Sequence, residues 1–137
     1  MRKLRPRVVL IGLAVALLLP FPTVVVPAWR IRVVDDLGKP VTNVKIRQHW
    51  CHYSVENEGH EADAVPDSGG YVSFPTRRVW AGPLHRVLGP VWNTFTTGVH
   101  ASFGPKAWIQ AWGNGYEGSV QYKGQSVPVT PLRVNRR

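Results

Sequence analysis

Prolines and glycines punctuate this chain so densely that a long helix has few places to form. Twelve prolines and 13 glycines are spread over 137 residues. Proline removes a backbone donor and clashes with the preceding turn, and glycine costs backbone entropy, so both interrupt helices. What remains is a series of short segments between turns. In the clearest of them, Val41–Tyr53 (VTNVKIRQHWCHY), the residues alternate. As a strand, it points Val44, Ile46 and Trp50 one way and Lys45, Arg47 and His49 the other.

The first 28 residues follow a different rule. Arg2, Lys3, Arg5 and Arg7 precede a 12-residue apolar run, Val8–Leu19, and then Pro20-Phe21-Pro22 and Val26-Pro27-Ala28. A basic start, an apolar helix and small residues before a cut make the pattern of a secretory signal. The rival reading is an uncleaved signal-anchor, because Val8 to Trp29 is 22 residues without a charge. Three prolines in the second half of that span shorten the helix below bilayer thickness, so length favours cleavage after Ala28. The expected organisation is therefore a signal or anchor at 1–28 and one domain at 29–137. The location is periplasmic or extracellular, with an inner-membrane tether through residues 8–28 if the segment is retained.

Residues 29–137 carry 13 Lys+Arg and 8 Asp+Glu, a surplus of +5. That field attracts anionic lipids, polysaccharides or nucleic acid without choosing among them. Export removes nucleic acid as a partner. With 44% hydrophobic and 18% charged residues, the chain can bury a core, and disorder is excluded. Cys51 is the only cysteine. No intramolecular disulfide can form, so Cys51 is a buried small hydrophobe, a free thiol or an intermolecular link, and its place in a strand favours burial.

Trp29–Asp35, Val41–Tyr53, Tyr71–Phe74, Val99–Phe103 and Lys106–Trp112 read as strands. Ser119–Lys123 and Ser126–Val134 read as a last hairpin about Gly124. Ser54–Ser68 reads as a polar, acidic loop. Gly82–Gly98 shows helical spacing broken by Gly89-Pro90, which predicts a short kinked helical crossover packed on the sheet. Together these predict an all-β fold: a β-sandwich of about seven strands with one helical crossover, after an apolar N-terminal helix.

The run Asp35-Asp36-Leu37-Gly38-Lys39-Pro40-Val41, then Val44-Lys45-Ile46, and later Asp67-Ser68-Gly69-Gly70-Tyr71-Val72-Ser73-Phe74-Pro75, resembles the carboxypeptidase regulatory-like (transthyretin-like) domain. The resemblance covers about Trp29 to Arg78. It implies a seven-stranded, Greek-key, Ig-like sandwich without catalytic activity, usually accessory to another domain. No peptidase follows it in this sequence.

Two constellations are candidate binding sites. Arg30 and Arg32 share one side of the first strand, and Lys45, Arg47 and His49 share one side of the second. If the two strands form a hairpin about Gly38, Arg32 faces Lys45 and Arg30 faces Arg47. Like charges directly opposite destabilise a sheet. Either an anionic ligand or the chain's own Glu56, Glu58, Glu61, Asp63 and Asp67 must then offset them. The second constellation is Trp108 and Trp112, on one face of Ala107–Trp112 with Gln110 between them. They are core if that face packs inward, and a platform for stacking sugars if the small residues Ala107, Ile109 and Ala111 do.

His49-Trp50-Cys51-His52 cannot converge three ligands on a strand, and no zinc-binding spacing is present, so neither metal nor cofactor is expected. The acidic segment 56–67 lacks the spacing of a calcium loop. His100 and Ser102 lie two apart without a nucleophile elbow, so no catalytic residues are assigned and a small hydrolase stands only as a second alternative. The sequence therefore predicts an exported, non-enzymatic module that binds or scaffolds an envelope protein or polysaccharide. The alternative is a carbohydrate- or anionic-polymer-binding module using Arg30, Arg32, Lys45, Arg47, His49, Trp108 and Trp112.

Overall fold

A computed structural model of the chain describes residues 6–122 and 131–136. Within them lie an apolar helix α1 (Pro6–Leu18), strand β1 (Phe21–Val26) and strand β2 (Trp29–Val34). Next come β3 (Lys45–His52), β4 (His60–Ala64), β5 (Tyr71–Phe74) and β6 (Arg77–Ala81). Helix α2 (Pro83–Thr97) follows, then β7 (Pro105–Trp112), β8 (Tyr116–Tyr122), β9 (Leu132–Arg133) and β10 (Asn135–Arg136). The protein is thus mostly β, as expected, with ten described strands rather than about seven.

The strands form three open sheets, in the orders β10-β8-β7-β3-β4, β5-β2-β9 and β1-β6. One core joins them in a sandwich-like body. Ile46, Ala107, Ile109 and Ala111 face it from the five-stranded sheet, and Trp29, Ile31, Val33, Val72, Phe74 and Leu132 from the three-stranded one. Val25, Val26, Val79 and Ala81 close it from the two-stranded sheet. Alternation along β2 and β7 sets these directions, because successive side chains leave a strand on opposite faces.

Position 28 falls between two core strands: β1 pairs with β6, and an irregularity between Val24 and Val26 turns both Val25 and Val26 inward. Three expectations change. The expected hairpin of β2 with β3 does not form. Asp35 accepts the amides of Leu37 and Lys39 and fixes the Gly38 turn. Beyond it the chain makes only the Val34–Pro40 bridge before β3 joins β7 and β4 in the other sheet. Ser54–Ser68 is not simply a loop, since it contributes β4, antiparallel to β3. Val99–Phe103 is a short 3-10 turn (Gly98–His100) and coil instead of a strand. The turn expected about Gly124 lies outside the described residues.

Helix α2 departs from the expected crossover in how it docks. It runs through Pro90, and none of its residues is buried. Arg86 holds it down, donating to the carbonyls of Ala81 (3.1 Å) and Phe21 (2.9 Å). Asn93 donates to the carbonyls of Tyr53 (3.1 Å) and Ser102. Between them Gly89 approaches the Ser54 carbonyl so closely that a Cβ there would collide with it. The helix therefore touches the body through its polar and small residues.

Candidate ligand-binding face

The outer face of the five-stranded sheet gathers five of the seven predicted site residues. Register builds the array. Arg47 sits opposite Asp63 on β4 and Gln110 on β7, His49 opposite Glu61 and Trp108, and Lys45 opposite Trp112. Because Ala107, Ile109 and Ala111 fill the core, Trp108, Gln110 and Trp112 are left on the outer side of β7.

The basic row on β3 is neutralised within the sheet. Arg47 donates from Nε to Asp63 Oδ1 at 2.7 Å and from Nη2 to Oδ2 at 3.0 Å, and Nη1 lies 3.1 Å from Glu61. Lys45 stands 3.6 Å from Asp63, and His49 Nδ1 lies 3.0 Å from Glu61. The side-chain hydrogen bond from Arg47 holds the Asp63 carboxyl below its ordinary value, aided by the charges of Arg47 and Lys45. The same hydrogen bond raises the Arg47 guanidinium. Of the two ways to offset the β3 cations, the chain's own carboxylates supply one.

The aromatic groups are arranged by the same register. His49 stacks on Trp108 with ring centroids 4.8 Å apart and planes 14° from parallel. On the β8 side Trp108 borders an open trough of 530 Å³, lined also by Gln110, Glu117, Gly118, Ser119 and Gln121. Gly118 lies where any Cβ would strike the Arg133 carbonyl. A neighbouring depression of 360 Å³ shares Gln110 and Glu117 and is bordered by Trp112, which is 58% exposed, and Tyr116. Arg47 stands 5.9 Å above the Trp112 ring. An indole wall beside amides, a hydroxyl and a carboxylate offers both an apolar plane and paired donors and acceptors. Ligand sites orient polyhydroxylated molecules with this combination.

Arg30 and Arg32 are not part of this face. They lie on the three-stranded sheet, 4.8 and 5.6 Å from the Tyr71 ring, and Arg32 donates to the Gly69 carbonyl at 3.3 Å. The expected juxtaposition with Lys45 and Arg47 fails because β2 pairs with β5 and β9.

The remaining candidates are held in local structural contacts. Cys51 is buried, with Sγ 3.6 Å from the Glu58 carbonyl it donates to, and burial followed by the charge of Glu56 pushes the thiol up to about 11. Glu56 accepts the His52 amide at 2.9 Å and lies 3.1 Å from His60 Nε2. Among the described residues no three His, Cys, Asp or Glu side chains gather as a metal site. Ser102 Oγ accepts from Lys106 Nζ at 3.0 Å, while His100 occupies the 3-10 turn.

Sequence reasoning set Gln110 between the two indoles but left out Glu117, Ser119 and Gln121 as trough residues, and it named Glu61 and Asp63 without ordering them as a row. A signal for the row existed: His60-Glu61-Ala62-Asp63 places two carboxylates two apart, the same-face spacing of Lys45, Arg47 and His49. Sequence reasoning also passed over Arg77 on β6, which donates to the buried Gln48 Oε1 at 2.9 Å and lies 4.1 Å over the Trp50 ring. Comparison with protein-family models, curated proteins and solved structures finds no match.

Proposed function

We propose that this chain is an exported, non-catalytic β-domain of the cell envelope that binds a neutral glycan on the outer face of its five-stranded sheet. One observation carries the reading. The small residues of β7 pack inward, so Trp108 and Trp112 stand on the solvent side with Gln110 between them. Four residues along a strand separate the two indoles by about 13 Å, a span suited to an extended chain of sugars.

Charge favours a neutral polymer over an anionic one. Lys45, Arg47 and His49 all have carboxylates within 4 Å, so an incoming anion would have to displace Glu61 and Asp63. Export rests on the basic, apolar and proline-rich order of residues 1–28. The Greek-key, transthyretin-like topology belongs to this proposal too, supported by the Asp35–Val41 and Asp67–Pro75 turns.

The test is titration of the purified protein with soluble chito- and cello-oligosaccharides and with alginate as the anionic control, read by tryptophan fluorescence and calorimetry. Binding of a neutral oligosaccharide, insensitive to salt and weakened by Trp108→Ala, is the expected result. Salt-sensitive binding of alginate alone, or sugar binding indifferent to Trp108→Ala, would overturn the reading.

A further inference from the structure

Helix α2 is amphipathic, but it is docked inside out. Leu84, Val87, Leu88, Val91, Trp92 and Phe95 recur at three- and four-residue intervals and form one stripe. In a water-soluble domain that stripe packs on the core. Here Val87 is 69% exposed, Trp92 61% and Phe95 83%. The opposite side, Arg86, Gly89 and Asn93, grips the body through backbone carbonyls of Ala81, Phe21, Tyr53 and Ser102. The fold therefore uses hydrogen bonds to aim an apolar stripe outward.

Beside it lies a second exposed apolar element. No residue of α1 is buried, and its apolar side chains are exposed all round the helix. The end of α1 adjoins the start of α2: Leu17 and Leu18 share a 580 Å³ cavity with Trp80, Leu84, Leu88 and Trp92. From these observations we infer that α1 and α2 together seat the domain in an anionic lipid leaflet, α2 lying in the interface with its stripe toward the acyl chains. This inference is independent of the glycan reading.

Three arguments select a bilayer over a second copy or a peptide. A neighbouring protein covers one stripe, whereas a helix apolar on every side suits hydrocarbon on every side. At about 1.5 Å per residue α1 is about 20 Å long, short of the roughly 30 Å hydrocarbon core. No described helix is long and apolar enough to cross a membrane. A shallow single helix anchors weakly, and a second interfacial element adds buried apolar area. Finally, acidic residues are confined to positions 35–67 and 117. Both helices come from stretches with basic residues and no acidic ones, the first opening on Arg2, Lys3, Arg5 and Arg7. Such segments are drawn to anionic headgroups.

The experiment places an environment-sensitive fluorophore at Phe95→Cys or at Thr97→Cys in the full chain with Cys51→Ala. The probes are vesicles of phosphatidylcholine alone or mixed with phosphatidylglycerol. The label at 95 should shift to the blue and be quenched by brominated lipid, more strongly with phosphatidylglycerol, while the label at 97 stays water-like. In parallel, Val91→Asp with Phe95→Asp should lower vesicle partitioning at least about tenfold without moving the thermal midpoint. A label at 95 that stays water-like on vesicle-bound protein would mean that α1 acts alone, and would overturn the proposal. So would protection of that label without lipid in a protein that sediments as a dimer, because a second copy would then cover the stripe.

Discussion

Arg47 grips Asp63 with two parallel hydrogen bonds, Nε to Oδ1 at 2.7 Å and Nη2 to Oδ2 at 3.0 Å, from directly paired positions of β3 and β4. This pair makes the basic row compatible with a sheet, and it gives the domain an acid-sensitive seam. The Asp63 carboxyl titrates below its ordinary value, principally because Arg47 hydrogen-bonds its charged form. Its contribution is therefore present at neutral pH and is lost as pH falls through the lowered folded value. Asp63→Asn should flatten the acid limb of stability, measured by urea unfolding from neutral pH to about pH 2. Both side chains are about one-third exposed and screened by solvent, so the effect at neutral pH should be small. An acid limb as steep as wild type would remove Asp63 from the seam.

The single basic face expected from the sequence is divided between two sheets, and binding should divide with it. Trp108→Ala removes the trough wall and the ring on which His49 stacks. It should weaken oligosaccharide binding at least about tenfold and cost about 1 kcal/mol of stability. Trp112→Ala should weaken binding with little change in the thermal midpoint, since this indole is mostly exposed. Arg30→Gln with Arg32→Gln should leave glycan affinity unchanged, because both arginines lie over Tyr71 on the other sheet. Calorimetry on the four proteins checks the whole pattern.

The strands legible in the sequence were those whose alternation is strong: Trp29–Val34, Lys45–His52, Tyr71–Phe74 and Pro105–Trp112. On β7 even the inward residues could be named as one of two alternatives. Strand β4 was hidden because His60-Glu61-Ala62-Asp63-Ala64 has little β propensity. It is held as an edge by pairing with β3 and by the ion pairs its carboxylates make there. Strand β1 was masked by its apolar context, where a membrane segment and a buried strand look alike. The stripe on α2 was visible, but its direction was not. Periodicity shows that one face is apolar, and only the tertiary contacts of Arg86 and Asn93 show that this face points away from the body.

Strand β1 yields a prediction about processing. Val25 and Val26 are buried, and β1 is the partner of β6. A cut after Ala28 would remove that strand and open the core beside Val79 and Ala81. A chain beginning at Phe21 should unfold cooperatively, and one beginning at Trp29 should not. Val26→Ala should cost about 2 kcal/mol, read from chemical denaturation. If the N-terminus found by mass spectrometry on protein from cells lies at Trp29 and that protein unfolds cooperatively, β1 is dispensable.

Cys51 should behave as a core side chain, since it is buried. Its strand neighbours Arg47 and His49 share its side of β3, yet Cys51 is covered and its sulfur contacts the Glu58 carbonyl. Burial is the main reason the thiol is pushed up to about 11, and the charge of Glu56 adds to it. An unfolded thiol ionises near pH 8.5. The folded state thus binds the proton more tightly between those two values, and stability should fall as pH rises from about 8.5 toward 11. Cys51→Ala should flatten this alkaline limb. At about pH 8 a disulfide reagent should react slowly with the native protein and far faster in urea, because the thiolate is the nucleophile and burial suppresses it. Rapid labelling without denaturant would place the thiol at the surface and remove burial as the cause of its raised pKa.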